Sequence, residues 1–484
     1  MLRPALVLTT ALLACQAADD VQQRLVGRAF SDTPIVHDLH ELCDGIGGRP
    51  TGSPACDRAI EWAAAKLKAA GADSVTTETF QVPQAWASVT AKAECVAPER
   101  FALRLAAAPN TLSTNGEIEA PLVDAGEGSA EAFERLGAPA RGAIALITSK
   151  EMKTLDDLFA EYMKSPSLLA AARGAGVAAL LLQSTRPHGL LYRHPLVMTN
   201  EPFAIPAAVI SREQGGRLAR LAAHGPVRVR LQLTNQTGGP YSSRNVVADI
   251  KGRERRDEIV LLGAHLDSFE LGTGAEDNGV NSVLVIDAAR AIHALGQRPR
   301  RTIRFVLFTG EEQGMFGSAG YVRLHKDEMD RHNAAVIFDM GSGRTTGFFL
   351  NGREDLRAPL NRALAGIAGL EAADNPADAI DGTDNLDFLL SGVPNLVANQ
   401  DAAPYLPQYH AESDTVDRVN TRELRANAAI ASALVWALAE DPERFGRRLK
   451  RDEIDKLITD TKLDVQMRAF GQWNDYQAGK RGAR

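Results

Sequence analysis

The sequence predicts an α/β protein built on a mixed, mainly parallel sheet flanked by helices. Three observations point there. Residues 258–264 (EIVLLGA), 302–309 (TIRFVLFT) and 334–338 (AAVIF) are short, β-rich apolar runs, the pattern of strands buried on both faces. Between the first two, residues 280–295 (VNSVLVIDAARAIHAL) carry apolar positions at helical spacing and stop at Gly-Gln-Arg-Pro. Strand, helix, strand implies a parallel βαβ unit, and further βαβ-like pieces lie between residues 115 and 233.

Met1-Leu-Arg3 is a short basic start. Residues 5–14 (ALVLTTALLA) are apolar but too few to span a bilayer, and small residues with Asp19-Asp20 follow. Residues 1–18 therefore read as a secretory signal peptide cut near Ala17, giving a soluble periplasmic or secreted protein. Leu12-Leu-Ala-Cys15 also resembles a bacterial lipobox, with a lipoprotein anchored at Cys15 as the alternative. Residues 21–114 begin the main domain with a helix over 59–70, stopped by Gly71, and a strand over 75–83 (VTTETFQVP). Residues 115–233 interrupt it with strand-like runs at 143–148, 177–182, 207–210 and 227–233 and a small-residue helix over 168–176. The main domain, which the motifs below mark as catalytic, resumes over 240–440, where 422–438 reads as a packing helix ending near Asp441-Pro442. Residues 441–484 form a charged tail. Its Leu449, Ile454, Leu457, Ile458 and Leu463 only partly match a helical stripe, so it is expected to be solvated, with a dimer contact as the sharper reading.

With 484 residues, 45% hydrophobic and a net charge of −7, the chain can bury a large core in two or three domains. The mildly acidic balance offers no basic footprint for nucleic acid. Beyond Cys15, Cys43 and Cys56 could pair in an oxidising compartment and leave Cys95 free; equally, all three could be buried thiols.

The chemistry concentrates at strand ends. His265-Leu-Asp267, Glu311-Glu312 and Asp339 each follow an apolar run, where open α/β sheets place their ligand crevice. Asp277-Asn-Gly279 and His410 complete the set. Singly, each is an ordinary turn or surface signal; together, imidazole and carboxylate donors without thiolate favour zinc. Five donors exceed what one tetrahedral zinc with an open position needs. A carboxylate bridging two ions held roughly 3.5–4 Å apart is the economical arrangement for hydrolysis. One of the adjacent glutamates can bind metal while the other moves protons, and spacing leaves open which.

In order, GAHLDS, GAEDNGVNS, FTGEEQGMFGS, FDMGSG and YHAESDT resemble the motifs of the co-catalytic zinc exopeptidase family of aminopeptidase Y and carboxypeptidase Q, metallopeptidase family 28. HLDSFELGTGAEDNG, LGQRPRRTIRFVLFTGEEQG and DGTDNLDFLLSGVP are most in the style of its carboxypeptidase Q members. The resemblance covers Arg244 to about Leu438, and Gly48-Arg-Pro-Thr-Gly-Ser53 also resembles a loop of the family. It implies a zinc aminopeptidase/phosphorylase-like sandwich with an inserted protease-associated α/β domain, acting as a lid or wall or as an independent module. It implies two Zn2+ ions, one held by His265 and Asp339, the other by Glu312 and His410, with Asp277 bridging. Glu311 is then the general base and acid, Asp267 the carboxylate that orients the first histidine, and Tyr409 a neighbour of the substrate oxyanion. Asn278 stands where many relatives have a second Asp. The implied activity is hydrolysis of dipeptides or short peptides through a metal-bridged hydroxide, in a chain for which a homodimer fits the likeness. The alternatives are an aminopeptidase on longer peptides, a glutaminyl-cyclase-like acyl transferase and a non-catalytic binding relative. For substrate termini, Glu276 and Glu311 are candidates to attract an amine and Arg344 to meet a carboxylate.

Overall fold

Alternation along strand β11 (Arg255–His265) sets the architecture: Ile259 and Leu261 enter one apolar cluster, while Val260, Leu262 and Ala264 enter another on the opposite face. A strand buried on both faces needs helices on both. The computed structural model describes residues 20–31, 33–197 and 203–483, so the expected signal segment and Cys15 lie outside the described residues. Among those described, no helix is long and apolar enough to cross a membrane.

The seven-stranded first sheet runs β1 (Ser74–Val82), β10 (Tyr241–Ile250), β12 (Arg301–Phe308), β11, β13 (His332–Ile337), β15 (Asn395–Gln400), β14 (Thr345–Phe349). Its four central strands, β12, β11, β13 and β15, are parallel, with Ile259 beside Thr302, and the edges are antiparallel. A mixed sheet forms as expected from the apolar runs, its parallel pairings confined to the four central strands. Helices α1 (Pro54–Ala69), α3 (Val280–His293) and α4 (Thr421–Glu440) cover one face. Tyr321, Val322 and Phe388, from shorter helices, cover the other. The α1 helix starts where Ser53 Oγ accepts from Cys56 N at 3.1 Å with Pro54 in the first turn. It stops before Gly71, whose φ of 92° and contact with the His293 ring leave no room for a side chain.

The eight-stranded second sheet runs β3 (Phe101–Leu103), β2 (Ala85–Ala97), β9 (Val227–Gly238), β5 (Ile118–Asp124), β6 (Ile144–Ile147), β7 (Ala179–Gln183), β8 (Ala207–Ile210), β4 (Leu105–Ala107). It starts at Ala85, ahead of the expected boundary at 115, because the half-exposed β2 lacks the apolar run that marks a buried strand. Its long helix α2 (Leu155–Ala175) also begins earlier than the expected 168, since Pro166 lies inside it and reads as a breaker. The overlooked start signal is the capping box of Thr154 and Asp157.

The tail departs furthest from expectation. It folds into α5 (Arg451–Asp460), α6 (Leu463–Ala469) and α7 (Trp473–Gln477). Ile454, Leu457, Ile458, Leu463, Met467 and Tyr476 are buried in a cluster with Leu386, Leu389 and Leu390 of the catalytic domain. Three short helices joined by turns each present their own face, so no single stripe runs through the sequence. Cys43, Cys56 and Cys95 are free, buried thiols, the second of the two alternatives, and burial pushes Cys43 and Cys56 up to about 12.

At the start of β13, His332 is fully buried; its Nδ1 bonds Glu328 O at 3.0 Å and its Nε2 meets the Tyr321 hydroxyl at 2.9 Å. Burial pushes it down to about 3, so the folded chain refuses a proton that the unfolded chain accepts below about 6.5. The stability this neutral histidine contributes is therefore present above pH 6.5 and lost progressively towards pH 3. Between pH 7 and pH 5 the loss comes to about 2 kcal/mol. Urea unfolding of wild type and His332→Gln at the two pH values should show the variant missing that increment of acid sensitivity.

Candidate metal centre and active site

Each candidate donor is delivered by a strand end or the turn that follows. His265 is the last residue of β11, Glu311 and Glu312 come just after β12, and Asp339 comes just after β13. Asp277 sits in a tight turn (Ala275–Gly279) leading into α3, and His410 lies in the loop after β15. The structure brings them into two buried groups that could each hold a metal ion, His265–Asp277–Asp339 and Asp277–Glu312–His410, with Asp277 common to both. His265 Nε2 lies 2.8 Å from Asp339 Oδ1 and 3.2 Å from Asp277 Oδ1. His410 Nε2 lies 2.9 Å from Glu312 Oε2 and 3.4 Å from Asp277 Oδ2.

The other ring nitrogens fix what these contacts mean. His265 Nδ1 bonds the main-chain oxygen of Asp267 at 3.0 Å, and His410 Nδ1 bonds that of Arg193 at 3.1 Å. A carbonyl only accepts, so each Nδ1 carries the hydrogen and each ring turns Nε2 towards the carboxylates, with the neutral His410 offering them a lone pair. Asp277 Oδ2 and both Glu312 oxygens find no hydrogen-bond donor among the described residues. Lone pairs facing lone pairs in a buried site are stable when a cation lies between them, so the donor set fits divalent metal. Electrostatics agree. Burial and then the charge of Asp277 push Glu312 well above its ordinary range. Glu311 is raised by burial and by Asp339, Glu312 and Asp384. Burial pushes His410 down to about 4. Burial also opposes charge on His265, but Asp339, Asp267 and Asp277 outweigh it and raise that group, so the crowded carboxylates draw a positive charge into the site, be it a proton on the ring or a metal ion.

The remaining candidates fall into supporting places. The Asp267 carboxylate stands 3.7 Å from His265 Nδ1 and accepts from the Thr51 hydroxyl at 2.7 Å, so its main-chain oxygen, rather than its carboxylate, makes the hydrogen bond to the ring. Asn278 donates to Asp339 Oδ1 at 2.8 Å, which a carboxylate at that position could not do. Tyr409 stacks on His410 with ring centres 3.6 Å apart and shares a hydrogen bond with the Tyr162 hydroxyl at 2.8 Å. The guesses about substrate termini do not hold for two residues. Glu276 is buried and accepts from Ser342 N and Oγ, both at 2.6 Å, and Arg344 is exposed and pairs with Glu371.

Several positioning groups carried little or no signal. Asp414, inside the quoted YHAESDT motif, accepts from Glu276 N at 2.6 Å and Asp277 N at 3.1 Å and so fixes the backbone of the carboxylate common to both groups. Arg49, fully buried, donates to Leu266 O, to Thr273 O at 2.8 Å and to Gly274 O at 2.9 Å, holding the loop between His265 and Asp277. The second sheet's segment around 186–194 reaches the centre as well. Beyond the Arg193 oxygen on His410, Arg193 N donates to His410 O at 3.0 Å and Arg186 to Tyr409 O at 3.1 Å. A main-chain oxygen leaves no trace in a sequence pattern.

Glu311, Glu312, Asp339, Tyr409 and His410 are among the residues lining a cleft that encloses about 830 Å³ out to its mouth. Residues 245–435 match Peptidase family M28. The chain is 27% identical over 410 residues to carboxypeptidase Q of Mus musculus, covering 84% of this chain and 86% of that protein. It is 24% identical over 469 residues to aminopeptidase YwaD of Bacillus subtilis, covering 94% and 95%. The crystal structure of a peptidase M28 precursor from Shewanella amazonensis superposes with a TM-score of 0.80 at 28% identity, over 90% of this chain and all of that one. With five motifs on one sheet edge and this family match over the same residues, residues 245–435 form a domain of the peptidase family M28 kind, and the chain is a metallopeptidase.

Proposed function

We propose that the centre holds two zinc ions, one at His265, Asp339 and Asp277 and one at Glu312, His410 and the same Asp277, and that the protein hydrolyses dipeptides or short peptides. The observation that carries this reading is the pair of lone-pair-lined donor groups sharing one carboxylate. Imidazole and carboxylate donors without thiolate suit zinc. When bound, such ions supply Lewis acidity that polarises the scissile carbonyl and acidifies water. The chain's own groups do the rest. Glu311, outside both donor groups, takes the proton of the attacking water and returns it to the leaving amine. The Tyr409 hydroxyl has one proton and two lone pairs, so it can accept from Tyr162 and donate to the carbonyl oxygen as charge develops there.

Short substrates are supported by the walls of the cleft. Leu155, Leu158 and Phe159 of α2 and Pro195, all from the second α/β layer, close one side of it. We read that layer, of protease-associated type, as a wall. The resemblance to carboxypeptidase Q supports a dipeptide preference, and the signal-like start supports export. The test is hydrolysis of free dipeptides, an amine-blocked dipeptide, a carboxyl-amidated dipeptide and a tetrapeptide, before chelation, after it and after zinc is restored. The expected result is zinc-restored cleavage of free dipeptides with little of the tetrapeptide. Absence of cleavage by a zinc-loaded protein would remove the peptidase reading.

A further inference from the structure

We propose that the C-terminal segment, beyond every recognised motif, is part of the substrate pocket, and that Phe470 is the wall that sets which apolar side chain fits beside Glu311. The inference rests on the peptidase reading for its substrate class but on separate residues for its evidence. The cleft is lined by the acids and His410 together with Leu158, Phe159, Phe349, Val397 and Phe470. No Lys or Arg is among the lining residues, so an acidic side chain would be desolvated there without a partner. The lining acid Asp381 is itself engaged: with the Gln472 amide turned to donate, its two oxygens accept at 2.9 and 3.1 Å.

The wall is fixed rather than loose. Phe470 is 4% exposed and meets Tyr162 edge-on, with ring centres 5.7 Å apart and planes at 82°. It shares a cluster with Leu158, Tyr162 and Leu406, so catalytic domain, second layer and tail meet at this one side chain. Past α7, Arg481 and Asp387 form a buried ion pair at 2.8 Å, and Gly482 N donates to the same carboxylate at 3.0 Å. Arg481 also donates to Gly314 O, in the turn that carries Glu311 and Glu312. The tail is thereby tied to the catalytic turn near its end and lines the pocket through Phe470.

The experiment uses the zinc-loaded, full-length protein, Phe470→Ala and Phe470→Trp, with melting temperature and bound zinc measured for each and Phe470→Leu held as a conservative partner should the alanine variant fail to fold. The readout is kcat/KM on dipeptides carrying Ala, Leu, Phe or Lys at either position. In wild type, Leu and Phe should be favoured over Ala and Lys at one of the two positions. Phe470→Trp should lower the Phe:Ala ratio there at least about tenfold, and Phe470→Ala should lower the Leu:Ala ratio by a similar factor, the range expected for small volume changes in an apolar pocket. Ratios within twofold of wild type in the variants, or a lysyl preference in wild type, would overturn the proposal. Should wild type cleave none of the panel, the peptidase reading falls, and calorimetric binding of free phenylalanine against glycine decides this one. Phenylalanine binding weakened by Phe470→Trp upholds the pocket wall, and equal binding in both proteins defeats it.

Discussion

Glu311→Gln should keep the wild-type metal content and lose at least about 10³-fold in kcat, some 4 kcal/mol of transition-state stabilisation. The amide has the same shape but cannot take a proton from water or hand one to an amine. Glu311 belongs to neither donor group, whereas its neighbour Glu312 sits 2.9 Å from His410 Nε2. That division predicts opposite behaviour in adjacent residues: Glu312→Gln should weaken metal binding, and Glu311→Gln should not. KM should change little in Glu311→Gln, because the lost interaction is made in the transition state. Metal analysis alongside steady-state kinetics checks both statements, and activity within tenfold of wild type in Glu311→Gln would contradict the assignment.

The second large effect belongs to Asp277. A catalytic zinc is typically held by three protein ligands, and each donor group contains three only because Asp277 is counted in both. In Asp277→Ala each group falls to two. Dialysed variant should retain fewer than one zinc per chain and lose at least about 10⁴-fold in activity, a larger loss than for any residue that supports only one group. A second readout separates loss of metal from loss of fold. Without metal, Asp277 is a buried carboxylate whose Oδ2 lacks a donor, close to Glu312 and Asp339. Removing it relieves repulsion, so the metal-free variant should melt no lower than the metal-free wild type.

The candidate site was legible in the sequence because metal chemistry restricts residue type and strand ends restrict place. His265, Asp277, Asp339, His410 and the Glu311–Glu312 pair could be singled out before any geometry, because few side chains offer such donors; which glutamate joins the donor set came only from the resemblance. The parallel core was legible for a related reason: β11, β12 and β13 are buried on both faces, and apolar runs of that length have few other uses. Supporting groups were hidden where they act through the main chain. Arg193 orients His410 through its carbonyl oxygen, and Asp267 holds His265 in the same way, so no side-chain pattern records either contact. The Tyr162–Tyr409 pair spans 247 residues of sequence, and its significance exists only after the two layers meet. The tail was misread because its apolar residues are distributed over α5, α6 and α7, each with its own buried face. The half-exposed β2 concealed the start of the second sheet.

The most direct measurement is an anomalous difference map at the zinc edge from crystals of the zinc-loaded protein. The account predicts two peaks on either side of Asp277, one within coordination distance of His265 and Asp339 and the other within coordination distance of Glu312 and His410. A single peak, or peaks that do not share Asp277, would contradict the two-metal centre on which the proposed hydrolysis rests.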